Sequence, residues 1–325
     1  MVDLSIIVPI YNVEQYVSKC IESLFCQGLD EKCFEVIIVN DGTKDRSMEI
    51  VSSIVKRHSN IVVVNQENQG LSVARNNGLA HAKGRYVMFV DSDDFLVENS
   101  LALLLPLALK MSVDMLIADF IKMTDEEIEQ TKIHHDNKEY KPTLMRGREA
   151  FQVFFDPLQC YAWRMIYRKG FIEENNLSFI PNLYFEDVPF TIDCYLKVEN
   201  ALLFPLPFYI YRQHQSSIVS SVNRKKLLDM NQIIAHLWNM LDTENLSNKD
   251  YRKLVDSVFV TFSIDLWYLS HVKKIFPLRK EIIGDLKRKV PDLSFNYGAK
   301  QKLVSFFYKR MPYVYLWLRS LETFK

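Results

Sequence analysis

A chain of 325 residues with 40 basic and 40 acidic side chains carries no bulk charge with which to hold a nucleic acid. Its 48% hydrophobic content is enough for one large domain or two smaller ones. The five cysteines, Cys20, Cys26, Cys33, Cys160 and Cys194, are odd in number and show no C-x-x-C spacing, so they read as reduced thiols of a cytoplasmic protein rather than as a disulfide framework or a zinc site. Val2-Asp3-Leu4-Ser5 enters a strand at once, so no signal peptide is expected. The longest apolar run, Leu101 to Leu109, is broken by Pro106 and is too short to span a bilayer.

Leu4 to Pro9 reads as a buried strand, with its turn at Pro9-Ile10-Tyr11-Asn12. Apolar residues at 13, 17, 20, 21, 24 and 25 follow at helical spacing. Glu35 to Val39 is a second strand, ending in Asn40-Asp41-Gly42-Thr43, with Asp45 just beyond. Met48 to Val55 is helical, Ile61 to Val64 a third strand, and Gln69-Gly70-Leu71-Ser72-Val73-Ala74-Arg75 leads into the next helix. Tyr86 to Val90 is a fourth strand, and it runs straight into Asp91-Ser92-Asp93-Asp94.

Strands alternating with helices of this length imply a parallel sheet covered by helices. Tyr11, Asp41 and the acid cluster then emerge at carboxyl ends of strands, where ligands of open α/β sheets bind. Like charges this close need a cation or a set of donors to stay ionised. A hard divalent ion holding phosphate oxygens meets that need. The set suits a nucleoside diphosphate: Tyr11 to stack on a base, Asp41 to accept from a base or ribose, Arg75 to read the base or balance the acids. Each residue alone is ordinary, since Asp-Gly is a common turn pair and Asp a common helix cap. The order of the four groups carries the reading.

Val8-Pro9-Ile10-Tyr11-Asn12, Asn40-Asp41-Gly42-Thr43-Lys44-Asp45, Gly70 to Asn76 and Asp91-Ser92-Asp93-Asp94 resemble the signatures of family 2 glycosyltransferases. Thr43 stands where that family usually has Ser, with the hydroxyl kept. The resemblance implies a GT-A fold, Rossmann-like, with a mostly parallel sheet flanked by helices. It implies an inverting transferase of bacterial surface-polysaccharide type, using a nucleotide-sugar donor, most often UDP-linked, with Mg²⁺ or Mn²⁺. Carried over by position, it places Pro9, Tyr11, Asp41 and Arg75 at the nucleoside, Asp91 near the ribose and pyrophosphate, and Asp93 on the metal. Asp94 matches an acid of variable role.

Asp114 to Phe120 reads as a further strand, and the polar stretch Thr124 to Lys141 as a loop or hairpin. Glu186-Asp187 lies between aromatics at the start of a helix. A single in-line displacement needs a base for the acceptor hydroxyl. Asp187 is the candidate, matching the E-D pair of many related enzymes, and Glu186 is expected to bind acceptor or orient it. Trp163 offers a flat face for a sugar ring or for core packing. Arg212 or His214 is expected to neutralise the departing diphosphate or to complete the metal shell, with Arg212 the candidate substrate contact and Asp93 and His214 the candidate metal ligands.

From Arg224 the chain reads as helical, with breaks at Pro277 and Pro291. Three segments are therefore expected: 1–112 and 113–221 as the donor and acceptor halves of the GT-A domain, and 222–325 as a C-terminal helical region. Residues 300–325 mix aromatic and basic residues with Glu322 as the only acid. That composition suits either the inner face of an anionic membrane, where a saccharide or lipid-linked saccharide acceptor would be met, or packing on the protein body. A catalytically silent subunit of the same fold is the competing class. The turn after the first strand has no glycine, which excludes a dinucleotide fingerprint, and no nucleophilic Asp for phosphoryl transfer.

Overall fold

A computed structural model of the chain describes residues 2–131, 140–214, 223–271, 276–313 and 316. The elements in order are β1 (Leu4–Ile10), α1 (Val17–Phe25), β2 (Phe34–Asn40), α2 (Ser47–Val55), β3 (Ile61–Asn65), α3 (Leu71–His81), β4 (Tyr86–Phe89), β5 (Phe95–Leu96), α4 (Ser100–Met111), β6 (Met115–Thr124) and α5 (Asp125–Gln130). There follow β7 (Thr143–Arg146), α6 (Glu149–Val153), β8 (Met165–Arg168), α7 (Lys169–Glu174), α8 (Asp187–Lys197), β9 (Asn200–Gln213), α9 (Arg224–Thr243), α10 (Asn248–His271), α11 (Phe276–Lys289) and α12 (Ala299–Arg310).

Two compact units are formed. The first comprises 1–150, 161–182 and 190–217; the second comprises 151–160, 183–189 and 218–325. Both expected halves, 1–112 and 113–221, contribute strands to the one sheet of the first unit.

That sheet runs β3-β2-β1-β4-β8-β6-β9-β5, with β7 also pairing β9, antiparallel, along Asn200 to Leu203. β3, β2, β1 and β4 are parallel. β8 runs antiparallel to both its neighbours, and β6 and β9 are again parallel. β1 is buried at every position, as expected of a central strand with helices on both faces. α1 turns Val17, Cys20, Ile21 and Leu24 inward, spaced three and four apart. α3 packs so closely that a Cβ on Gly78 would meet Ile7 Cγ2 at 2.4 Å and Val39 Cγ2 at 3.2 Å, so glycine is required there.

Two sequence expectations change. Thr124 to Lys141 is not all loop: β6 reaches Thr124, and α5 follows at once. Thr124 and Glu127 form a reciprocal cap, a T-x-x-E signature present in the sequence. Residues 132–139 lie outside the described residues. Pro106 does not break the apolar run, because α4 continues through it with the ring exposed. A proline interrupts one backbone hydrogen bond, and packing of Leu101, Leu104, Leu105 and Ala108 holds the helix together across it.

The second unit is helical where described. α9 is capped by Asn223, which accepts from the Lys226 N–H. Within α10, Asp265 is buried and neither carboxylate oxygen has a hydrogen-bond partner among the described residues. Burial, with the nearby Asp285 charge adding to it, pushes the Asp265 carboxyl up to about 8. The folded chain thus keeps a proton that the unfolded chain gives up near pH 4. Stability at this position is full below that pH and is lost as pH rises toward 8. Asp265→Asn should therefore unfold at higher urea concentration than the parent at pH 8, by on the order of 4 kcal/mol, with the gap closing at pH 4.5. Equal gaps at the two pH values would refute this.

Candidate active site

Because β2, β1 and β4 are adjacent and parallel, their carboxyl ends lie side by side. Tyr11, Asp41 and Asp91 follow those three ends directly or by one residue. Pro9 is buried within β1 opposite Val39, and Tyr11 is 45% exposed.

The loops between these ends are cross-tied by side chains. Thr43 Oγ1 accepts from the Asn12 N–H at 2.8 Å and donates to Asp45 Oδ1 at 2.7 Å. Asp45 also accepts from the Glu14 and Ser47 N–H groups. Burial pulls the Asp45 carboxyl up, but hydrogen bonds from Ser47, Thr43 and the Glu14 N–H outweigh it and bring the group down to about 2. Asp41 is buried and accepts from Gln66 Nε2 at 2.8 Å, the Gln69 N–H at 2.8 Å and the Gly70 N–H at 2.9 Å. Gly70 has φ of 84°, a conformation that favours glycine, and it starts α3. Asp41 thus sets the entry to the helix that carries Arg75.

Each acid of the cluster has its own partner. Asp91 Oδ1 accepts from Arg75 Nη2 at 2.6 Å, and Arg75 is 1% exposed with its guanidinium 5.1 Å from the Phe179 ring. The pair balances the charge of one acid of the cluster. Asp93 Oδ2 lies 3.0 Å from His214 Nε2. Asp94 is buried and accepts from the Tyr209 hydroxyl and the Arg212 N–H, both at 2.8 Å. Burial, then the Asp93 and Asp91 charges, push the Asp94 carboxyl well up, against those two hydrogen bonds. The Tyr209 hydroxyl in turn accepts from the Asp91 N–H at 3.0 Å, so one phenol ties both ends of the cluster together.

Tyr209 is held in place by a stack. Trp163 lies against it with ring centroids 4.2 Å apart, and Tyr161 covers the other face of Trp163 at 4.6 Å. Trp163 is 2% exposed. Of its two readings, core packing is therefore what the geometry displays; no face is open to a sugar ring. Arg212 donates from Nε to the Asp93 carbonyl at 2.9 Å, pairs with Asp125, and lies 4.8 Å from the Tyr16 ring. The ring of His214 is 4.9 Å from that of Tyr16.

Tyr209, Tyr16 and Asp125 were not legible as site residues. Tyr209 shares period-two alternation with Tyr211 on β9, a signal of a strand face rather than of chemistry. Glu186 and Asp187 belong to the second unit. Glu186 is buried, Asp187 opens α8, and Phe185 before them sits at φ of 60°, a strained conformation for an aromatic residue. The Asp187 charge, after burial, raises the Cys160 thiol of the same unit.

Parallel strands ending in an acid cluster over a helix-covered sheet make an α/β fold of GT-A type. Residues 5–174 match the family model described as Glycosyl transferase family 2, and the chain belongs to that family; it is a glycosyltransferase. It is 34% identical over 223 residues to the uncharacterized glycosyltransferase EpsJ of Bacillus subtilis, a match covering 66% of this chain and 62% of that protein. It is 30% identical to the putative glycosyltransferase EpsH of Bacillus subtilis over 84% of this chain and 80% of that protein. Among solved structures, Staphylococcus aureus TarS 1–349 in complex with UDP-GlcNAc superposes with a TM-score of 0.68 at 23% identity, covering 89% of this chain and 82% of that one. That likeness is one of fold.

Tyr209→Phe removes the hydroxyl that joins Asp91 to Asp94 and keeps the aromatic stack. It should weaken UDP binding about tenfold in calorimetry with Mn²⁺, with the unfolding temperature little changed. Unaltered affinity would show that the link does not position the acids.

Proposed function

We propose that this glycosyltransferase is an inverting enzyme that moves a sugar from a UDP-linked donor to a hydroxyl of a saccharide or lipid-linked saccharide acceptor in polysaccharide biosynthesis. The reading places it in the cytoplasm, at the inner face of the membrane when the acceptor is lipid-linked. The observation that carries it is the row of strand ends in the first unit, where an exposed aromatic, a buried acid and a partnered acid cluster stand together. TarS, which shares the fold, has been solved with UDP and with UDP-GlcNAc, which supports the choice of donor.

Asp93 and His214 offer an oxygen and an imidazole nitrogen side by side, 3.0 Å apart. Among the described residues there is no cage of three or more His, Cys, Asp or Glu side chains. Two protein donors fit Mg²⁺ or Mn²⁺, whose remaining positions go to phosphate oxygens and water. Bound there, the ion supplies positive charge to the departing diphosphate. A mannosyltransferase of Pyrobaculum calidifontis with the same type of fold, TM-score 0.55, holds GDP-Man and Mn²⁺.

In this reading Tyr11 stacks on the base, while Asp41 and Pro9 shape the nucleoside seat. Arg75, paired with Asp91 at 2.6 Å, holds that carboxylate in place toward the ribose and pyrophosphate. Arg212, pinned by Asp125 and the Asp93 carbonyl, adds fixed positive charge beside the diphosphate. Trp163 acts through Tyr209, as its support. Asp187 takes the proton of the acceptor hydroxyl as the new glycosidic bond forms and the bond to the diphosphate breaks, and Glu186 orients it.

A panel of nucleotide sugars, scored by release of free nucleotide with Mn²⁺ present, tests the whole. Release from one UDP-sugar, abolished by chelation, is expected; no release from any donor would leave a silent binding subunit. Asp187→Asn should lower transfer by at least about a hundredfold while leaving UDP affinity nearly intact. Undiminished turnover would remove Asp187 from the mechanism.

A further inference from the structure

Helix α12 of the second unit contains Lys300, Lys302, Lys309 and Arg310 and no acidic residue. It is anchored through Val304, Ser305 and Tyr308, which are buried. On the opposite side, Leu303 is 56% and Phe306 53% exposed. Leu303, Phe306 and Arg310 are spaced three and four apart and so form one stripe, with Lys302 and Lys309 along its border. Single exposed apolar side chains are ordinary. Two large ones in a row, on a helix whose only charged residues are cations, are not explained by packing.

A second observation lies beside the start of the same helix. A cleft of about 530 Å³ is lined by Arg252, Tyr297 and Lys300, among others. The Arg252 guanidinium sits 5.7 Å from the Tyr297 ring, which is itself exposed. The acid in that lining, Asp256, is engaged by Gln301 Nε2 at 2.8 Å. On the neighbouring helix α11, the last turn carries Lys287, Arg288 and Lys289, and Lys287 Nζ is 5.4 Å from the Tyr308 ring.

We propose that α12 is the surface by which the second unit docks on an anionic phospholipid bilayer. The helix lies in the plane of the interface. Leu303 and Phe306 enter the boundary between headgroups and acyl chains, while Lys302, Lys309 and Arg310 face lipid phosphates. The cleft beside Arg252, Tyr297 and Lys300 receives a phosphorylated headgroup. Apolar insertion and attraction to anionic lipid add together in such helices, and neither is strong alone. No helix among the described residues is long and apolar enough to cross a membrane, so contact through α12 is peripheral. The inference rests on the reading that the enzyme meets its acceptor at a membrane, and it names the surface involved.

Co-sedimentation of the full chain with vesicles tests it. Binding to phosphatidylcholine vesicles containing phosphatidylglycerol is expected, with much weaker binding to phosphatidylcholine alone and release at high salt. The triple variant K302E/K309E/R310E should lose at least about tenfold in affinity for the anionic vesicles. The pair Leu303→Ser and Phe306→Ser should lose affinity while keeping the salt dependence of what remains. No binding of the parent chain to the anionic vesicles at low salt, or equal binding by both variants, would overturn the proposal. Nucleotide release from the donor in vesicle-free buffer is expected to be unchanged in both variants; its absence from the parent chain would count against the proposed transferase activity instead.

Discussion

Three carboxylates within four residues, Asp91, Asp93 and Asp94, stand just past the end of a strand buried along its whole length. Two unit charges 4 Å apart repel by about 4 kcal/mol where the effective dielectric is near 20. The fold resolves this by giving each acid a different partner. Arg75 comes from α3, His214 from the end of β9, and the pair made by the Tyr209 hydroxyl and the Arg212 N–H from β9 itself. A single long strand thus serves two of the three acids, which is why its fourteen residues matter beyond sheet pairing.

The same economy governs the neighbouring strand ends. Asp41 spends its carboxylate on the turn that starts α3, and that turn sets where Arg75 begins its reach. Thr43 and Asp45 bind the loop after β1 to the loop after β2. Backbone N–H groups at strand ends lack ladder partners, and leaving them unmade when buried costs free energy. Side-chain acceptors placed there stabilise the loops and orient the site together. Behind the acids, the Tyr161–Trp163–Tyr209 stack fixes the phenol whose hydroxyl links Asp91 and Asp94.

The second unit is built on other terms. Its helices bury a carboxyl, Asp265, that has no hydrogen-bond partner among the described residues, and they present a basic, partly apolar helix face outward. Neither feature follows from packing a stable core. The first weakens the unit as pH rises, and the second is the basis of the proposed contact with an anionic surface. Asp187 and Glu186 sit in this unit as well, just after Phe185, whose backbone is strained.

The sequence by itself determined the parallel strands, their order of chemistry and the family. Apolar runs ending in Tyr11, Asp41 and Asp91 are local signals, and strand-helix alternation leaves few ways to assemble them. The acid-free basic stretch of α12 was equally plain. Tertiary structure alone decided which partner each acid takes. Tyr209 meets Asp94 across 115 residues of chain and His214 meets Asp93 across 121, and no periodicity carries information over such separations. It also decided that Trp163 is sandwiched, because one ring near it in sequence, Tyr161, and one far from it, Tyr209, close on its faces. Burial and pairing are properties of the packed chain, so residue type alone left Trp163 open to two readings and gave Tyr209 none.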